Sequence, residues 1–176
     1  ELEDFYESLG EIYKDTVEII MCESMSSIFE GRNASRVAKE FSERVWLSWT
    51  NRGHQPDQLP STEALSKAVD FSIEADVECT LINCSHADMA SNSIKELKRA
   101  SRFGIFANSS TFKEVDLSIA TKDVDAIHHL NSEKISAKEY AMIALSWVKE
   151  GAFVIGGCCG TTVEHTREIK LLMDSL

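Results

Sequence analysis

The chain has 176 residues, 43% hydrophobic and 27% charged, with a formal net charge of −11 at pH 7. That composition supports one globular core, and the acidic balance argues against nucleic acid or an anionic membrane as the main partner. No apolar run approaches the roughly 20 residues of a bilayer span, no basic-then-apolar start marks a secretory signal, and a cytoplasmic location is expected.

Apolar residues at Leu2, Phe5, Tyr6, Leu9 and Ile12 predict an amphipathic helix over Leu2–Tyr13. Val17–Glu23 follows as a short apolar strand of the kind covered on both faces. Helical periodicity returns over Ser26–Phe41, and Arg44–Thr50 is a second strand, rich in Val and Trp. Gly53, Pro56 and Pro60 mark Asn51–Ser61 as a loop, with Ser61 or Thr62 capping a helix over Thr62–Glu74. Val77–Ser85 is the third strand, Ala87–Ala100 a helix, and Phe103–Ser109 the fourth strand. Thr111–Lys134 is a long polar segment holding Asp116, Asp123, Asp125, His128 and His129, a length usually reserved for functional or mobile loops. Ser136 and Glu139 spell a capping box for a helix over Ser136–Glu150, which Gly151 ends. Phe153-Val154-Ile155 is the fifth strand, and a last helix starts near Val163.

Alternating strands and helices predict βα units on a parallel sheet, read as one domain over residues 1–176. Both a (β/α)8 barrel and an open parallel α/β sheet place their chemistry at the C-terminal strand ends. Those ends carry Glu23, Thr50 with Asn51, Asn83 with Cys84, Asn108, and Cys158 with Cys159.

Five cysteines, an odd number, read as reduced thiols or metal ligands rather than a disulfide framework. Neighbouring side chains on a strand point to opposite faces, so Cys158 and Cys159 serve one centre only if the backbone turns between them. Gly156, Gly157 and Gly160 permit such a turn. Cys84, after another apolar strand, offers a third sulfur, and three thiolates with one open position describe a zinc site that can accept a substrate. By alternation Cys22 points away from Glu23, and mid-strand Cys79 belongs to the core. The five histidines read as surface residues, with His86 nearest to Cys84. The three tryptophans read as packing residues.

Gly156–Thr162, GGCCGTT, followed by Glu164-His165 and preceded far upstream by Asn83-Cys84, resembles the homocysteine S-methyltransferase family. The resemblance implies a (β/α)8 TIM barrel, of which these residues form roughly the last five βα units, since a full barrel takes about 250 residues. It implies zinc on Cys84, Cys158 and Cys159, with homocysteine sulfur as the fourth ligand and methyl transfer from a small-molecule donor, giving methionine. Glu23 and Asn83 become the catalytic candidates, Glu23 also pairing with the substrate ammonium and Asn83 fixing the ligand loop. Asn108, Gly157, Thr161 and Thr162 line the substrate side, the threonines at a helix N-terminus suited to a carboxylate. Val163 and the His86-Ala87 pair stand where the family commonly has Pro, Ser110 stands where it has Gly, and its N-terminal Asp-Gly-Gly strand is absent from this sequence. Two rival readings are a non-catalytic zinc-binding fragment or divergent paralogue, and an α/β domain whose cysteines merely pack. An incomplete barrel exposes sheet edges, so homo-oligomerisation is expected.

Overall fold

The computed structural model describes residues 2–112 and 132–175. Among the described residues thirteen elements follow one another: α1 (Leu2–Tyr13), β1 (Ile20–Met25), α2 (Ile28–Phe41), β2 (Val45–Trp49), α3 (Leu65–Glu74), β3 (Cys79–His86), α4 (Ala87–Leu97), β4 (Phe103–Asn108), β5 (Ser110–Phe112), β6 (Ser132–Lys134), α5 (Ala137–Lys149), β7 (Val154–Gly157) and α6 (Val163–Met173).

The main sheet has five parallel strands in the order β1-β2-β3-β4-β7. Each strand in that sheet therefore lies beside the one before it. Same-handed crossovers between successive neighbours return every helix to the same face, whereas a doubly wound sheet reverses direction and covers both. The main hydrophobic core lies between the helices and one face of the sheet: Cys22, Val45, Leu47, Trp49, Ile82, Phe103, Ile105 and Ala107 pack with helix residues such as Ala34, Leu65, Ala90, Leu97, Tyr140 and Trp147. The alternate strand residues Trp46, Ser48, Leu81, Asn83, Gly104 and Phe106 point the other way, as registers Trp46↔Cys79, Ser48↔Leu81 and Asn83↔Phe106 require. This is an arc of a barrel with its helices outside, and the open-sheet alternative falls to the strand order.

Several element boundaries differ from the sequence expectations. The first strand starts at Ile20 rather than Val17, because Asp15 at φ 60° turns the chain out of α1. The third helix starts at Leu65 rather than Thr62, with Ala64 as its cap. Thr62 sits at φ 74°, and the Glu63 carboxylate accepts from Ile28 N–H (2.9 Å) instead of capping α3. The ends of the predicted long loop are not irregular: Ser110–Phe112 pairs antiparallel with Ser132–Lys134. Asp116, Asp123, Asp125, His128 and His129 lie outside the described residues. The capping box of α5 forms as read, with Glu139 N–H donating to Ser136 Oγ (3.3 Å) and Ser136 N–H to Glu139 Oε2 (2.8 Å).

Candidate metal centre

The ends of β3 and β7 meet because β4 lies between them and pairs with both. Cys158 N–H donates to Ala107 O at 2.8 Å, continuing the β4–β7 ladder by one rung. Cys159 then leaves the ladder: its N–H donates to the Asn108 side-chain oxygen at 3.0 Å, and its carbonyl accepts from Ser109 N–H at 3.0 Å. That change of partner is the turn that two adjacent cysteines need. Gly160 completes it at φ 78°, a left-handed conformation that favours glycine. Gly157 is required for space, since a Cβ there would sit 2.5 Å from the Thr161 side chain. Thr161 Oγ1 donates to Cys158 O at 2.7 Å and closes the corner.

Cys84 arrives from the other side, itself left-handed at φ 52°. Its Sγ lies 3.5 Å from that of Cys159, and the three sulfurs of Cys84, Cys158 and Cys159 all fall within 4.8 Å of one another. A tetrahedral ion with sulfurs at about 2.3 Å separates them by roughly 3.8 Å. The trio fits zinc in both spacing and donor chemistry. Cys84 and Cys158 are half-buried and Cys159 is exposed, so the centre opens to solvent on one side.

Electrostatics points the same way. Burial pushes the Cys84 thiol far above its ordinary value, and the neighbouring sulfurs push it further. Burial also raises Cys158, against the bond to Cys84 that lowers it. Three thiolates this close repel, and only a cation among them makes the ionised set favourable. Cys22 and Cys79 are different: each is buried and its thiol is pushed up to about 12 by desolvation. They are packing residues, Cys22 on the helix-covered face as its parity with Glu23 predicts and Cys79 buried on the other.

Beside the sulfurs stands a polar lock. Asn83 is fully buried, and each end of its amide has two partners. Its Oδ1 accepts from Ser48 Oγ (2.6 Å) and Ser24 N–H (3.1 Å). Its Nδ2 donates to Ser24 Oγ (2.6 Å) and to Glu23 Oε1 (3.1 Å). The Ser24 N–H can only donate, which fixes the amide orientation and turns its donor end to Glu23. Ser24 is left-handed at φ 62°, like Cys84. The lock therefore holds two irregular strand ends together across β2.

Sequence reasoning missed Ser24, Ser48 and Tyr140. Ser48 and Asn83 share a sheet face, which the strand register would have shown. Ser24 carries no sequence signal for its backbone. Tyr140, in α5, reads like any apolar helix residue, yet its hydroxyl lies 2.8 Å from both Ala107 O and Gly156 O. His86 Nδ1 lies 2.9 Å from Ser110 Oγ, and His54 is beside Phe112. Thr162 is the N-cap of α6, and its N–H donates to His165 Nδ1 at 3.1 Å.

The sequence model of the family described as homocysteine S-methyltransferase matches residues 1–173. The chain belongs to the homocysteine S-methyltransferase family. Homocysteine S-methyltransferase YbgG of Bacillus subtilis (strain 168) is 26% identical over 162 residues, covering 90% of this chain and 48% of that protein. The chain thus spans about half the length of that curated relative. Its fold is similar to that of the homocysteine methyltransferase MmuM of Escherichia coli. The apo form gives a TM-score of 0.67 at 17% identity, over 96% of this chain and 57% of MmuM. The metallated form gives 0.68 at 17% identity, over 97% and 52%. Membership of the homocysteine S-methyltransferase family, with a barrel arc ending in three clustered thiols, is what the sequence resemblance implied.

Proposed function

We propose that the protein carrying this chain transfers a methyl group from a small-molecule donor to the thiol of homocysteine, giving methionine. The observation that carries the reading is the meeting of Cys84 with Cys158 and Cys159, all three sulfurs within 4.8 Å. Those residues would hold zinc, whose charge would favour the ionised, nucleophilic form of the homocysteine thiol at neutral pH. The remaining roles belong to the chain itself. Asn83 engages Glu23 Oε1 and leaves Oε2 of this exposed carboxylate for the substrate ammonium. Thr161 and Thr162 shape the approach, their own donors being engaged by Cys158 O and His165 Nδ1, and the N–H groups in the first turn of α6 are offered to the carboxylate. Asn108 acts through Cys159 by holding its amide, and Gly157 keeps the corner compact. Homocysteine would be oriented at its ammonium and carboxylate, which lowers the entropy cost of aligning sulfur with the donor methyl.

In this proposal residues 1–176 form one partial methyltransferase domain. No helix among the described residues is long and apolar enough to cross a membrane, and a cytoplasmic location is part of the proposal. The test is formation of methionine from homocysteine by the protein, with and without Cys158→Ser. Loss of activity in the variant supports the reading. A protein that binds no zinc and is indifferent to the substitution ends it. The coverage of 48% of the curated relative motivates a second reading, that this arc alone keeps zinc without turnover. Methyl transfer by the 176-residue chain on its own would rule that out.

A further inference from the structure

We propose that Tyr140 is a positioning residue for the sulfur centre, its hydroxyl setting the separation of β4 and β7 from which both adjacent cysteines are hung. The inference rests on the zinc reading above. Tyr140 is fully buried on α5, outside the sheet, and touches no sulfur ligand in any hydrogen bond. Its one hydroxyl proton is shared between Ala107 O on β4 and Gly156 O on β7, each 2.8 Å away. Ala107 O is also the acceptor for Cys158 N–H, and the next residue, Asn108, is the acceptor for Cys159 N–H. Both cysteine amides therefore hang from two consecutive residues of β4, and the phenol ties that pair to the strand that carries the cysteines.

The ring is itself wedged. It meets Trp147 edge-on at 5.7 Å and His165 at 5.6 Å. His165 in turn accepts from Thr162 N–H at the start of α6, just beyond the corner. So the hydroxyl is held in place from α5 and α6 and bears on the base of the Cys158–Cys159 turn. Groups that orient metal ligands without touching the metal commonly change its affinity by 10–100-fold. A small change in strand spacing here moves two of three sulfurs relative to Cys84, which hangs from β3 and does not follow.

Tyr140→Phe removes the hydroxyl and keeps the ring contacts. Ser72→Ala is the control: it removes another buried hydroxyl, on α3, which donates to Ala68 O (3.0 Å) and accepts from Trp49 Nε1 of β2 (3.0 Å). Zinc affinity is measured by competition with a chromophoric chelator, thermal unfolding is measured on the metal-free proteins, and the visible spectrum is recorded with cobalt(II) in place of zinc. The expected result is a loss of zinc affinity of about 10–100-fold in Tyr140→Phe, with a shifted cobalt spectrum. Ser72→Ala should lower the metal-free melting temperature comparably, yet bind zinc and absorb as the wild type does. Wild-type affinity in Tyr140→Phe would overturn the proposal and leave the zinc reading standing. Equal affinity losses in both variants, or a Tyr140→Phe protein that fails to fold, would overturn it by making the hydroxyl a general stability element. A wild-type protein that takes up neither zinc nor cobalt overturns the zinc reading itself.

Discussion

Replacing Asn83 by Ala should cost far more than an ordinary polar substitution. The side chain makes three neutral hydrogen bonds, from Ser48 Oγ, from Ser24 N–H and to Ser24 Oγ. Each contributes about 1 kcal/mol net, so their loss costs about 3 kcal/mol. Ser48 is fully buried, and stranding its hydroxyl adds about 1–3 kcal/mol. The bond to exposed Glu23 is screened by water and is left out of the sum. The total, roughly 4–6 kcal/mol, approaches the whole stability of a marginal domain. Ser48→Ala removes one bond and should cost only about 1 kcal/mol. Urea denaturation reads both: with a mid-range slope of about 2 kcal/mol per molar, Asn83→Ala should shift the midpoint by about 2–3 M or abolish folding. An Asn83→Ala protein within about 1 kcal/mol of the wild type would refute the claim that this amide locks the strand ends.

Three further outcomes follow from the same structure. Because all three thiols of Cys84, Cys158 and Cys159 must lose protons to bind metal, with Cys84 and Cys158 raised, zinc affinity should climb with pH by about three log units per unit below neutrality; a pH-independent chelator competition would contradict this. Buried Cys22 and Cys79 ionise near 12 when folded, against an ordinary thiol value of about 8.5. Their folded values are raised, so the stability they confer is complete below about pH 8.5 and lost as pH rises towards 12, at about 1.4 kcal/mol per unit for each thiol. Denaturation midpoints that stay flat across that alkaline range would contradict it. Finally, β1 pairs only with β2 and β7 only with β4 among the described residues, so the isolated 176-residue chain carries two open edges and should self-associate. A monodisperse monomer in sedimentation velocity would show otherwise.

The parts of this structure that were legible in the sequence are those written in local pattern. Alternating apolar runs and amphipathic stretches gave the βα units, and strand parity placed Cys22 opposite Glu23. The glycine-flanked cysteine pair was chemically odd enough to mark the corner where three thiols cluster. What stayed hidden depends on register or on tertiary override. Ser24 and Cys84 adopt left-handed backbones without being glycine, and no propensity announces that. The Asn83 lock needs β1, β2 and β3 aligned, which no single segment specifies. Thr62 looked like a helix start but lies in a left-handed turn, with the neighbouring Glu63 carboxylate spent on α2. The pairing of β5 with β6 spans a long intervening segment and was masked by its polar composition.

The central claim is that three sulfurs hold one zinc ion with a position left for a fourth. X-ray absorption at the zinc edge of the protein tests it most directly, recorded alone and with homocysteine. The account predicts three sulfur neighbours at about 2.3 Å, rising to four when homocysteine is added. A sulfur count that does not change on addition, or a first shell with fewer than three sulfurs, would contradict it.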